Sequence, residues 1–199
     1  AVVMYFMWWV MMIAMMLPSA STAILQFMRA HNNSTENERS YLPTIVFASG
    51  YLTAWAGFSA LATGAQWLLE DANLLNKMMA TTSPVLGGGL LLVAGLWQFT
   101  SWKYACLRHC RSPLIFLMAR WRSGRIGTFV MGMDHGAFCL GCCWFLMALL
   151  FFGGIMDLWW IGGLALCVLA EKLMPAGHWL GYRLGVILTL WGLAIVLFI

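Results

Sequence analysis

The chain has 199 residues, 62% of them hydrophobic and 9% charged, against about a quarter charged in soluble domains. So little solvated surface argues for an all-α integral membrane bundle, because a lipid-exposed backbone must satisfy its own N–H and C=O groups and barrel strands would show short alternating segments. The formal charge of +4 rests on 11 basic and 7 acidic residues, with no basic surface interleaved with aromatics and no Gly-rich phosphate loop, which excludes nucleic acid and nucleotide as partners.

A hydrocarbon core of about 30 Å takes roughly 20 helical residues to cross. Apolar runs of that kind fall at residues 3–28, 44–69, 84–104, 128–152, 155–173 and 179–198, so six transmembrane helices are expected within one domain, 1–199. The first run is longer than the apolar region of a signal peptide and has no basic start, so it reads as a span. In "MYFMWWVMMIAMMLPS", Met4, Met7, Met11 and Met15 lie within about 80° of one another at 100° per residue. Thioethers select Cu(I) and Ag(I), so Met11 and Met15 are candidate ligands on a methionine ladder; the same stripe serves equally as flexible apolar filler. Pro18 should bend this helix.

The loop "RAHNNSTENERSYLP" at 29–43 reads as solvated, His31 included. In the third run, the glycines of "VLGGGLLLVAGLW" suit close helix packing. That run ends in "WQFTSWKYACLRHCRSP", where Cys106 and Cys110 stand one helical turn apart, with His109 beside them and Gln98 and Lys103 before them. The order of residues is not that of a c-type haem attachment, and neither the direction of the two side chains on one helix nor a reducing compartment favours a disulfide. Residues 112–127 read as a basic amphipathic segment on the membrane surface or a docking surface for a partner.

The fourth run, "MDHGAFCLGCCWFLMALLFF", carries the densest chemistry. With His135 at zero, Cys139 falls at about 40°, Cys142 at about −20°, Cys143 at about 80° and Met131 at about −40°, one face of a helix, while Asp134 points elsewhere. Imidazole and thiolate favour copper or zinc over Mg(II) or Ca(II). Cys139 and Cys142 are the better pair, since adjacent Cys142 and Cys143 diverge by about 100°. The other reading is packing thiols with a histidine bonded to a carbonyl. One helix cannot close a ligand shell, so Cys106 and Cys110 of the third run are expected to approach His135 and Cys139, toward the cytoplasmic half of the bundle.

In the fifth run Asp157 reads as a helix cap and Cys167 as packing. Glu171, in "LAEKLMPAGHW", is a candidate ligand or the partner of Lys172, Arg183 or a basic loop residue, and His178 enters the sixth run. Ten of the eleven basic residues, Arg29, Arg39, Lys103, Arg108, Arg111, Arg120, Arg122, Arg125, Lys172 and Arg183, fall on one side of the six-span arrangement, and only Lys77 opposite. The positive-inside rule then predicts a multi-pass protein of the bacterial inner membrane, both termini periplasmic.

Together, "MMIAMMLPS", "WKYACLRHCRSPL", "HGAFCLGCCWFLMALLFFGGIMDLWW" and "EKLMPAGHW" resemble a bacterial family of predicted metal-binding integral membrane proteins of unassigned function. The resemblance spans nearly the whole chain and implies a polytopic inner-membrane protein that binds metal. Cys106, Cys110, His135, Cys139, Cys142, Cys143 and Glu171 stand at its motif positions, whereas Asp134 occupies a place where a basic residue is expected. Three function classes stay open: soft-metal binding, copper or zinc, for storage, delivery or passage; a non-catalytic subunit of a respiratory, photosynthetic or monooxygenase membrane assembly; and a redox enzyme with haem between His135 and His178 or a thiol relay. No Ser/His/Asp set or paired catalytic carboxylates support hydrolysis, so an enzyme is the less expected outcome.

Overall fold

The computed structural model describes residues 1–34, 41–122, 124–174 and 177–198. Arg39, counted above among the inward basic residues, and the Pro175–Ala176 step of the last motif lie outside them. Among the described residues the chain is helical: α1 (Val2–Ser34), α2 (Leu42–Asp71), α3 (Pro84–Trp97), α4 (Ser101–Arg111), α5 (Pro113–Ala119), α6 (Gly124–Ala148), α7 (Leu150–Gly153), α8 (Leu158–Leu173) and α9 (Gly177–Leu197). The only pairing of extended backbone among them is an isolated bridge between Leu75 and Thr81.

Four stretches are long and apolar enough to cross a membrane: Val2–His31, Leu42–Asp71, Gly124–Gly153 and Gly177–Leu197. The expected third span, 84–104, differs from its sequence reading. It is broken at Gln98–Thr100 into α3 and α4, which meet at 67°, and counts as a fifth crossing only if the bent pair is one span. The cause is local. Thr100 takes an extended conformation and its side chain accepts a hydrogen bond from Lys103 N, the geometry of an N-cap, so a new helix starts there. The expected fifth span is shorter than read, because Asp157 caps α8 by accepting from Trp159 N and Trp160 N and so starts it at Leu158, leaving 16 residues.

Glycines set the two closest helix pairs. Where α2 meets α6, a Cβ on Gly132 would strike the Phe47 carbonyl and one on Gly50 would strike the Phe129 carbonyl. Where α3 meets α9, a Cβ on Gly95 would meet Thr189, and one on Gly192 would lie 2.9 Å from the Gly88 carbonyl oxygen. These backbones approach because no side chain separates them, as in small-residue packing between membrane helices. Helix α1 closes the bundle against α2, α5 and α8. Its buried face is Trp8, Met12, Met15, Met16, Ser19, Ala20, Ala23 and Phe27, so the methionine face is rotated from the sequence reading: Met12 and Met16 are fully buried while Met4, Met7 and Met11 are half-buried.

Candidate metal centre

Three helices bring thiols and charge together. On α6, Cys139, Cys142 and Cys143 point inward and are at most 2% exposed. From α4, the buried Cys110 joins the same cluster as Cys139 and Cys142. The pairing follows from direction, since α4 runs antiparallel to α6 and sets His109, the residue before Cys110, on the ring of Phe138, the residue before Cys139, stacked at 4.3 Å. From α8, Lys172 reaches in and donates to Cys139 Sγ at 2.9 Å and to Ser19 Oγ at 3.2 Å. Tyr51 of α2 completes the surround, its hydroxyl 3.2 Å from the same sulfur and 3.3 Å from the Met16 carbonyl oxygen.

Cys139 is therefore the hub. An ammonium sits directly on its sulfur, and both following thiols turn back to its carbonyl, Cys142 Sγ at 3.0 Å and Cys143 Sγ at 2.9 Å. All six cysteines are free. The cluster lies about half-way along the continuous apolar stretch Gly124–Gly153. Among the described residues no three His, Cys, Asp or Glu side chains are arranged around one ion position. The thiols are adjacent, but those of Cys142 and Cys143 are engaged with the Cys139 carbonyl.

The remaining sequence candidates separate from this hub to different degrees. His135, one turn before Cys139, is 3% exposed among the rings of Phe47, Tyr51 and Phe116, and its Nδ1 has no hydrogen-bond partner among the described residues. Cys106, one turn before Cys110 on α4, is half-buried with its sulfur against Gly141 of α6, and lines an apolar groove with Trp97, Trp102 and Trp144. Glu171 does not face the thiols. It is 4% exposed and accepts from Lys103, which also bonds Gln98, so its partner is none of the three groups weighed above. Asp134 pairs instead with Arg120 at 3.3 Å. Met15 is buried in the same apolar cluster as the thiols, with Met12 and Met16, and Met11 packs at its margin. His178 stands beside Tyr104, Arg108 and Arg111, in surroundings different from those of His135.

Lys172 and Tyr51 were the residues that sequence reasoning missed. A signal for the first was present: Glu171 and Lys172 are consecutive on a helix and diverge by about 100°, so they must serve different neighbours.

A family model described as PpoB2, a copper chaperone, matches residues 5–195. No curated protein and no solved structure matches the chain.

Proposed function

The chain belongs to the PpoB2 copper chaperone family, and from that premise we propose that it holds Cu(I) within a membrane at the buried thiols of Cys110, Cys139 and Cys142, with Cys143 in reserve. One observation carries the reading: the buried thiol of Cys110 on α4 shares one cluster with Cys139 and Cys142 of α6, beside a buried ammonium. The donor set fits the cargo. Cu(I) is soft and takes thiolate sulfur, which the neighbouring thiols can supply two or three at a time once they leave the Cys139 carbonyl. Two or three thiolates around one Cu(I) carry net negative charge, which the Lys172 ammonium offsets inside an apolar interior. The His135 imidazole, buried one turn away with no partner for its Nδ1 among the described residues, is the next available donor.

The membrane part of the proposal rests on the outside of the bundle. Leu61, Leu68, Ile115, Ile126, Leu158, Leu166 and Leu197 are exposed, and exposed Trp67, Trp102, Trp159 and Trp179 stand near helix ends. So continuous an apolar exterior suits lipid, with tryptophans at the interfaces. We take α3 and α4 as one broken span and α8 as a short one, giving six crossings in a bacterial inner membrane with both termini outside; the basic-residue asymmetry supports that orientation.

Copper content of the detergent-purified chain, measured by mass spectrometry after anaerobic loading with Cu(I), tests the site. Wild type should retain copper, and Cys139→Ser/Cys142→Ser should lose it. A double variant with the full copper load would remove the thiols from the function.

A further inference from the structure

A second sulfur-bearing constellation lies apart from the thiols, on α1, α2 and the loop that follows α2. Near the start of α1 and the end of α2, Gln66 is fully buried and its amide orientation is fixed from both sides. The Trp8 indole, a donor only, gives its Nε1–H to Gln66 Oε1 at 2.7 Å, and the Glu70 carboxylate accepts from Gln66 Nε2 at 2.7 Å. Around that nitrogen stand two more acceptors, Met4 Sδ and Met79 Sδ, both at 3.2 Å. An amide nitrogen has two hydrogens, so the three acceptors converging on one point exceed what it can satisfy.

Two thioethers and a carboxylate around one position previously unaccounted for by the thiol chemistry describe a cation site. The geometry points to a monovalent soft-metal site, for Cu(I) or Ag(I), formed by Met4, Met79 and Glu70, with the Gln66 amide holding the ion's place in the metal-free chain. Thioether sulfur carries no charge and competes poorly for hard ions, which restricts the ligand to soft monovalent ones. The Glu70 carboxylate supplies the single negative charge that makes such a complex neutral. Loading requires Gln66 Nε2 to withdraw, and rotation about its terminal bond turns Oε1 toward the ion and releases the Trp8 indole.

The segment that brings in Met79 is built for it. Met79 adopts φ 57°, a left-handed conformation that non-glycine residues seldom take. It is held there from several directions: Met79 N donates to the Asn76 carbonyl at 2.9 Å, Asn76 Oδ1 accepts from Met78 N at 2.8 Å and Ala80 N at 3.0 Å, and Thr81 N docks on the Phe151 carbonyl at 2.7 Å. From Met4 to Met16 along α1, and from Gln66 to Tyr51 along α2, the helical rise separates this site from the thiols by about 20 Å. The inference therefore stands independently of the thiol reading, and either can fail alone.

The test uses Ag(I) on the full chain in detergent, because the sulfur lone pair that binds the ion is the one that peroxide attacks. Hydrogen peroxide oxidation of each methionine is followed by peptide mass mapping with and without Ag(I). Oxidation of Met4 and Met79 should slow at least about tenfold, while Met78, exposed on the same loop, should oxidise at an unchanged rate. In Met79→Leu, the protection of Met4 should disappear. Unchanged rates at Met4 and Met79 in the wild-type chain overturn the site, and so does Met4 that stays protected in Met79→Leu. The wild-type measurement decides alone if the variant does not fold.

Discussion

Lys172 Nζ lies 2.9 Å from Cys139 Sγ, with both residues buried and supplied by different helices. The neighbouring Glu171 turns the other way, to Lys103. The last turn of α8 thus ties itself to α6 through a sulfur and to α4 through an ion pair, and the copper site proposed between α4 and α6 is positioned by both.

If Lys172 supplies the charge that balances a Cu(I)–thiolate complex, Lys172→Met should weaken Cu(I) retention by about tenfold or more, equivalent to at least about 1.4 kcal/mol. Lys172→Arg, which keeps the charge, should lose less. Competition against a Cu(I) chelator measures both, and an affinity in Lys172→Met equal to or tighter than wild type would falsify the role of the ammonium.

The Lys103–Glu171 pair makes a different prediction, about stability. Removing one partner of a buried ion pair strands the other charge and costs about 3–5 kcal/mol, whereas replacing both with apolar residues is often close to neutral. Glu171→Leu and Lys103→Met should each lower the unfolding temperature in detergent markedly, and the double variant should recover most of the loss. Single variants as stable as wild type would show that the pair holds nothing together.

Burial sorts the six cysteines into two classes. Cys110, Cys139, Cys142 and Cys143 are at most 9% exposed, while Cys106 and Cys167 are half-buried. N-ethylmaleimide on the folded chain should modify the last two first, with the other four protected until the bundle is unfolded. Early labelling of Cys139 or Cys142, read by mass mapping, would contradict the packing of the α4–α6 interface.

At the α2–α6 seam, Gly132→Ala should cost about 1–3 kcal/mol through overpacking, since its Cβ meets the Phe47 backbone, while Gly57→Ala, with open space at its Cβ, should be near neutral. Thermal unfolding of the two variants gives the comparison. Equal stabilities would mean that the two backbones are not in contact.

Topology is tested separately. Reporter fusions at Arg120 and at the Asn73–Met79 loop should report opposite sides of the membrane, with Arg120 cytoplasmic. The reverse assignment, or a common one, would overturn the six-crossing arrangement.

Much of the thiol face was readable beforehand, because helical periodicity fixes which residues share a side of α6 whatever packs against it. Periodicity does not say which side faces protein. On α1 the stripe of Met4, Met7, Met11 and Met15 was regular, yet of these only Met15 is buried by the neighbours, alongside Met12 and Met16. Glu171 was recognised as a rim carboxylate, but its partner Lys103 is 68 residues away and is delivered by a break that the run of apolar residues concealed. The capping pattern Thr100–Ser101 ahead of Lys103 was the visible trace of that break.

That break has a mechanical consequence. Helix α3 is held by its glycine seam to α9, whereas α4 lies along α6 and carries Cys110 and Lys103. One stretch of chain thereby turns from a seam with α9 to a face of α6 at the three residues Gln98–Thr100. If the proposed ion enters or leaves by a tilt of α4, the change falls on the torsions of that joint, and the glycine contacts between α3 and α9 need not be broken.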